Sequence, residues 1–320
     1  MHIIQGSSHF KEHSVHNPVM TLGNFDGVHL GHQKILKKVL QRAQSVGGAS
    51  VVYTFHPHPL TVIRPGQEPL KITTFEEKAA LIEQAGIDYL ICERFNRRFS
   101  EKSPEDFIHK TICGNIHPLE IVIGHDFSFG RHRAGTIELL KKMGQSCAFQ
   151  VDAVSDITIK NIPVRSTTIR TLIASGRVSL AAKLLGRHYA ISGTVVHGKQ
   201  RRIGFPTANL KPDKKLIPPN GVYVIRAQTP NGLFDGVVSI GSNPTFTDSA
   251  VLCVEAHLFD FNYDLYGKNM TLCFIKKIRG EKKFKEVSAL TEQIHKDIAF
   301  AKNILAKSEP TPAYGAPQGQ

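Results

Sequence analysis

Apolar and polar positions follow two different rhythms along the chain. Over residues 18–154, short apolar runs alternate with segments of helical period. The runs at 19–22, 51–55, 89–92 and 121–123 read as strands buried on both faces. Between them, Ile35, Leu36, Val39, Leu40, Ala43 and Val46 fall at helical spacing over residues 34–46, and the pattern stops at Gly47-Gly48. Residues 75–85 and 104–112 behave similarly. Strands alternating with helices predict βαβ units and a mostly parallel, Rossmann-like α/β sheet, with ligand sites at the carboxyl ends of its strands.

After a helical stretch over 167–185 the pattern changes. Five strand-like runs, 189–196, 222–228, 233–240, 251–259 and 270–278, are separated by Gly, Pro, Asn and Asp. Strands at this spacing without intervening helices predict an antiparallel barrel or sandwich. A helix over 285–305 follows, and residues 308–320, rich in Pro, Gly, Ala and Gln, are expected to be disordered. The boundary is expected near Gly186, giving domains 1–185 and 186–307.

At 320 residues the chain has room for two domains of ~150 residues. Its 41% hydrophobic and 21% charged residues exclude wholesale disorder. No apolar run approaches the ~20 residues of a membrane helix, and no secretory pattern opens the chain. Five scattered cysteines without a C-x-x-C argue against a disulfide framework or zinc ribbon and for the cytoplasm. Basic residues exceed acidic ones by 40 − 27 = 13, which fits nucleic acid, an anionic membrane, nucleotide phosphates or simply a basic surface.

The segment Gly23-Asn24-Phe25-Asp26-Gly27-Val28-His29-Leu30-Gly31-His32 narrows this choice. It links the first of those strands to the helix that follows, where glycines permit a tight turn and close approach, and free helix amides form an anion site. His29 and His32 flank that site and are placed to donate to phosphate oxygens. The alternatives are a capping pair or half of a metal site; no third histidine or cysteine at ligand spacing supports metal. Two further segments fall where such a sheet gathers its loops. Residues 124–130, GHDFSFG, follow an apolar run and lead into Arg131-His132-Arg133. Arg165-Ser166-Thr167-Thr168-Ile169-Arg170 offers N-cap hydroxyls and a guanidinium suited to a triphosphate, although an N-cap followed by arginine is common.

In the second half, residues 193–200 nearly fit a phosphate loop, but Gln200 replaces the Ser/Thr for magnesium and the segment lies between strands. It is read as strand and loop. In Gly204-Phe205-Pro206-Thr207-Ala208-Asn209-Leu210, Thr207 and Asn209 face one side of an extended segment, where both could reach Mg²⁺ and phosphate. A proline-started turn is the plainer reading. Glu255, alone in an apolar strand, needs a partner or a task. It is either a general base or a residue on a solvated face.

Together these segments resemble a known family. GNFDGVHLGH is similar to the H-x-G-H signature of the nucleotidyltransferase superfamily in the form found in bacterial FAD synthetase domains. GHDFSFG and RSTTIR stand in the order of that family's later motifs, and Phe55-His56-Pro57-His58-Pro59 resembles its PHP loop. GFPTANL, Gly221-Val222-Tyr223, GSNPTF, VEAHLFDF, DLYG and the 278–284 run resemble the riboflavin kinase domain of the same bifunctional enzymes, so that the resemblance spans residues 15–305. Three departures stand out: His56 where an acidic residue is usual, Arg165 where serine is frequent, and Lys199-Gln200-Arg201 in place of an R-G-R run.

The resemblance implies a nucleotidyltransferase domain followed by a barrel kinase with a C-terminal helix. The kinase would convert riboflavin and ATP to FMN, and the first domain would transfer AMP from ATP to FMN, giving FAD and pyrophosphate. His29 and His32 would stabilise the transferring α-phosphoryl group, and Ser166, Thr167 and Arg170 would hold the ATP phosphates. Gly23, Asn24, Phe25, Asp26, Gly31 and Asp126 would line that nucleotide site. In the kinase, Gly204, Thr207 and Asn209 would bind Mg-ATP, and Glu255 would take the proton from the ribityl hydroxyl. His58, Arg279 and Phe284 would contact flavin. The rivals are a chain with one activity retained, a flavin-binding regulator, and an RNA binder. Against nucleic acid stand the absence of a long basic helix, of an RNP-like aromatic pair and of tryptophan. No membrane partner is expected, and the sequence leaves the oligomeric state open.

Overall fold

The computed structural model describes residues 1–198, 205–243 and 251–308. Expectations on Gly204, the 199–201 run, Pro244–Phe246 of the GSNPTF motif and all of the tail after Ser308 lie outside the described residues. By its contacts the chain divides into two compact units, one ending at Arg165 and one beginning at Ser166. Among the described residues no helix is long and apolar enough to cross a membrane.

The first unit contains β1 (His2–Gln5), β2 (Val19–Leu22), α1 (Leu30–Ser45), β3 (Ser50–His56), α2 (Pro59–Ile63), α3 (Phe75–Gln84), β4 (Tyr89–Arg94), α4 (Arg97–Ser100), α5 (Pro104–Asp106), β5 (Glu120–Gly124), α6 (Ile137–Cys147) and β6 (Gln150–Val154). A small hairpin, β7 (Thr158–Ile159) and β8 (Ile162–Pro163), ends it. Six strands form one parallel sheet in the order β1-β4-β3-β2-β5-β6. All four residues of β2 are buried, as expected of a strand covered on both faces.

From β2 the chain winds outward through β3 and β4, then crosses to the other side of β2 for β5 and β6. The switch point therefore lies between β2 and β5, the crevice where such sheets take ligands. These two strands pair only through Val19 with Glu120 and Met20 with Ile121, so their carboxyl ends part. Thr21 Oγ1, buried there, has no hydrogen-bond partner among the described residues. At the far side, Glu93 on β4 accepts the Ser7 amide (3.1 Å), the Ser7 hydroxyl (2.7 Å) and the Tyr53 hydroxyl (2.8 Å). Burial and this carboxylate push the Tyr53 phenol well above its ordinary range.

Several elements differ from the sequence reading. The strands β1 and β6 and the helix α6 were not expected. The helix expected over 104–112 runs on as a π-helix, Phe107–Ile116. Cys113 and Cys147 are joined as a disulfide between that helix and α6, with Cα atoms 6.0 Å apart, one bridge where the scattered cysteines argued against a disulfide framework. Their 34-residue separation carries no spacing signal; the helices bring them together. Cys92, Cys253 and Cys273 are free thiols.

The second unit begins with α7 (Ser166–Ala174) and α8 (Val178–Leu185), where one helical stretch was expected. Gly176 (φ 76°) breaks it, and a Cβ there would meet the Lys277 side chain at 2.9 Å. The barrel strands are β9 (Tyr189–Val196), β10 (Ala208–Pro212), β11 (Gly221–Thr229), β12 (Gly232–Asn243), β13 (Val251–Leu258) and β14 (Asn269–Arg279), followed by α9 (Val287–Leu305). They close antiparallel in the order β10-β13-β12-β11-β14-β9. The sixth strand, β10, was not among the five expected, and closure settles barrel over sandwich. α8 packs on β14, and α9 covers Val222, Val224 and Ile275 with Ala301 and Leu305.

Candidate active sites on two units

In the first unit the loop between β2 and α1 lies at the switch point. His29 is the N-cap of α1: its Nδ1 accepts the His32 amide at 3.3 Å, and the two rings stack with centroids 3.6 Å apart. The Phe25 ring meets His32 edge-on at 5.1 Å. Gly31 serves this stack. A Cβ there would press on the His29 ring at 3.1 Å, so any other residue would have to shift that ring. Both imidazoles thus stand at the positive end of a sixteen-residue helix, where negative charge is favoured.

The rest of the motif ties the loop to its neighbours. Gly23 donates its amide to the Tyr53 carbonyl at 3.1 Å, joining the loop to β3. Asn24 is exposed, and its carbonyl accepts from Lys78 Nζ at 3.2 Å and Thr54 Oγ1 at 3.4 Å. Asp26, 7% exposed, accepts the Ile72 and Thr73 amides at 3.0 and 3.1 Å and the Thr73 hydroxyl at 3.3 Å. Its carboxylate clamps the segment before α3, a task the sequence reading did not foresee.

His58 caps α2, its Nδ1 accepting the Leu60 amide at 3.2 Å. Neighbouring His56 is held below its ordinary value by desolvation and by Lys71 and Lys78. Past β5, Asp126 is exposed beside His125 and Asp156, with ligand atoms of the three within 4.8 Å of one another. Asp156 is already paired to His125 Nδ1 (3.0 Å) and Arg165 (2.7 Å). In the second unit Ser166 opens α7, with Thr167 exposed and Arg170 half-buried one turn on.

The barrel carries the other constellation on its outer face. Val254, Ala256 and Leu258 point into the core, so Cys253, Glu255 and His257 point outward. Glu255 sits opposite Asn209 of β10 and Ser239 of β12. The Cys253 thiol donates to Glu255 Oε1 at 3.2 Å and lies 3.9 Å from Asn209 Oδ1. Gly198 lies so close to the Asn209 amide that any Cβ there would collide with it. Thr207, exposed, precedes Asn209 by two residues, and His257 Nδ1 contacts the Pro206 carbonyl at 2.9 Å. Asn209 and Glu255 are thereby gathered on one face of the β10–β13 ladder.

Two cavities border α9. One of about 500 Å³ is lined by Phe205, His257, Phe259, Phe261, His295 and Lys302. The other, of about 350 Å³, is lined by Lys282, Lys283, Phe284, Gln293 and Lys296. Phe205, His257 and His295 escaped the sequence reading; aromatic and histidine side chains flanking GFPTANL and VEAHLF were the available signal. Arg279 forms a two-pronged ion pair with buried Asp297 (3.0 and 2.8 Å) and stands 5.8 Å over the Phe284 ring. Its guanidinium holds α9 and Phe284.

The FAD synthetase family model matches residues 11–168, and the riboflavin kinase model matches residues 185–305. The bifunctional riboflavin kinase/FMN adenylyltransferase of Bacillus subtilis is 40% identical over 285 residues, 87% of this chain and 90% of that protein. That of Buchnera aphidicola from Acyrthosiphon pisum is 39% identical over 302 residues, covering 93% and 96%. That of Escherichia coli K12 is 33% identical over 316 residues, covering 97% and 100%. A Streptococcus pneumoniae crystal structure described as a macrolide-efflux protein superposes with a TM-score of 0.84 at 30% identity, over 95% of this chain and 99% of that one.

Proposed function

The chain belongs to the bifunctional riboflavin kinase/FMN adenylyltransferase family, and from that membership we propose how its residues share the two reactions. The enzyme phosphorylates riboflavin with ATP to FMN, then transfers AMP from a second ATP to FMN, giving FAD and pyrophosphate. We assign residues 1–185 to adenylyl transfer and 186–307 to phosphorylation, a division supported by family models ending at 168 and starting at 185.

In the kinase, Glu255 takes the proton from the terminal ribityl hydroxyl as that oxygen attacks the γ-phosphorus. Thr207 and Asn209 supply neutral oxygens for Mg²⁺ and the phosphates; an all-oxygen donor set beside a carboxylate suits a hard cation. Bound there, Mg²⁺ would neutralise phosphate charge. The cavity of Phe205, His257 and Phe259 offers aromatic faces for the adenine next to Thr207. The cavity at Phe284 takes the flavin ring, with Arg279 acting through its hold on Phe284.

In the adenylyltransferase, the FMN phosphate attacks the α-phosphorus of ATP and pyrophosphate leaves. His29 and His32 donate to the oxygens on which charge builds, in the field of the α1 terminus. Ser166, Thr167 and Arg170 hold the triphosphate, Asp126 lines the nucleotide site past β5, and His58 contacts the flavin. Gly23, Asn24 and Phe25 shape the loop, which Asp26 braces. Neither reaction needs a covalent enzyme intermediate; both rely on in-line positioning and charge neutralisation. ATP is the donor in each, so we place the enzyme in the cytoplasm.

One observation carries the reading: a single chain presents two phosphate-handling constellations, stacked histidines at a helix N-terminus and a carboxylate facing an amide on a barrel wall. Positional labelling tests it. Label in the γ-phosphate of ATP should enter FMN and persist in FAD, while label in the α-phosphate should enter FAD alone. Loss of γ-label from FAD, or α-label in FMN, would overturn the assignment.

A further inference from the structure

The loop that delivers His29 is strained. Phe25 (φ 49°) and Val28 (φ 38°) both occupy the left-handed region. For a β-branched residue such as Val28 this conformation persists only where its surroundings over-determine it. Asp26 is tied to Ile72 and Thr73, the Gly27 amide donates to Thr73 Oγ1 at 3.0 Å, and Gln33 Nε2 donates to the Val28 carbonyl at 2.9 Å. These hold the middle and the end of the loop. The beginning, at Asn24, is held from below by Lys78.

Lys78 lies on the inner face of α3 and is only 7% exposed. Its Nζ donates to the Asn24 carbonyl at 3.2 Å and to Thr54 Oγ1, at the end of β3, at 2.9 Å. It also stands 5.6 Å from the centre of the Phe75 ring. An ammonium buried this deeply is costly unless its bonds perform a task, and neither reaction as described above uses it.

We infer that Lys78 is a positioning residue for adenylyl transfer, its ammonium bridging Asn24 and Thr54 so that the strained loop presents His29 and His32 to the α-phosphate. The inference rests on the assignment of adenylyl transfer to this loop. Charged and titratable groups face Lys78 from every side. Asp26 comes from the loop, Lys71 from the segment before α3, His56 from the end of β3 and Cys92 from β4. Burial, assisted by Lys71 and opposed by Cys92 and Asp26, pushes the ammonium down to about 8. The brace therefore surrenders its proton as pH rises through that value, leaving an amine that makes weaker hydrogen bonds.

The test uses the full-length enzyme with Lys78→Met and Lys78→Arg. With FMN, ATP and Mg²⁺ supplied, Lys78→Met should lower kcat for FAD formation about ten- to a hundredfold. KM for ATP and FMN should stay within about threefold, since Lys78 touches neither substrate. FMN formation from riboflavin by the same preparation should be unchanged. Wild-type kcat should fall as pH rises through 8, whereas Lys78→Arg, charged to beyond pH ~12, should restore activity and flatten that limb. Hydrogen exchange at the Gly27 amide should accelerate in Lys78→Met. Wild-type kcat in Lys78→Met, or the same alkaline limb in Lys78→Arg, would overturn the inference. If the wild-type enzyme made no FAD at all, the assignment of adenylyl transfer would fall instead. The exchange measurement would then decide the brace, which unchanged protection of Gly27 would refute.

Discussion

Asn209 and Glu255 stand directly opposite each other across the β10–β13 ladder. Directly opposed residues in an antiparallel pair share one face with Cβ atoms about 5 Å apart, so a carboxylate and an amide oxygen are brought together by backbone register. Val196 flanks Asn209 on β9 and Ser239 flanks Glu255 on β12, which fixes both strands from either side. The barrel ladder thus presets where this carboxylate and this amide stand.

Glu255→Gln preserves this shape and removes the base. FMN formation should fall by about a hundredfold or more. FAD formation from supplied FMN should stay within about twofold, because none of the residues assigned to that reaction lies on the barrel strands. A parallel loss of both rates in a folded variant would remove Glu255 from its role.

The two histidines should separate by what else they do. His32→Ala should depress FAD synthesis and let riboflavin plus ATP accumulate FMN. His29→Ala should add a stability loss of about 1 kcal/mol, since it also removes the N-cap of α1. His29→Asn should restore the cap and the melting temperature without restoring FAD output. Recovery of both together would mean that His29 is only structural.

Arg279 and Asp297 form the anchor of α9. Asp297 is nearly buried, so Asp297→Ala leaves the guanidinium without its partner and should cost about 3 kcal/mol. A melt of the enzyme should show a drop of roughly 10 °C in the transition of the barrel unit. Riboflavin KM should rise, because Arg279 without Asp297 is no longer held in place over the Phe284 ring. An unchanged melt would show that the helix is held by its apolar face alone.

His188, before β9, is held below its ordinary 6.5 by burial and by the nearby Arg226 guanidinium. The unfolded chain therefore binds a proton more readily than the fold does. Stability is fully present above pH 6.5 and is lost as pH falls through and below that value. Denaturant midpoints from pH 7.5 down to 5 should decline, and His188→Phe should decline less. Parallel slopes would exclude His188 as the source.

The motifs were legible because their chemistry lies at strand-to-helix turns and in short contiguous runs. Other features lay beyond local pattern. β1 buries only Ile4, so an edge strand with one covered residue offers no periodicity. β10 ends in Pro212 and owes its strand character to ladders on both sides. In α6, by contrast, Leu140 and Met143 are buried behind a Thr136 cap, a signal present in the sequence. Asp26 was singled out within its motif, whereas its hydrogen-bond partners, 46 and 47 residues away, could not be read locally. Lys78, one charge on an ordinary amphipathic helix, shows its task only through Asn24 and Thr54.

The central claim is that one chain performs two reactions in order. Its most direct test is a time course of the purified enzyme with riboflavin, excess ATP and Mg²⁺, separating riboflavin, FMN and FAD. FMN should rise first and then give way to FAD. FMN that accumulates without FAD would contradict the adenylyltransferase assignment, and failure to form FMN would contradict the kinase.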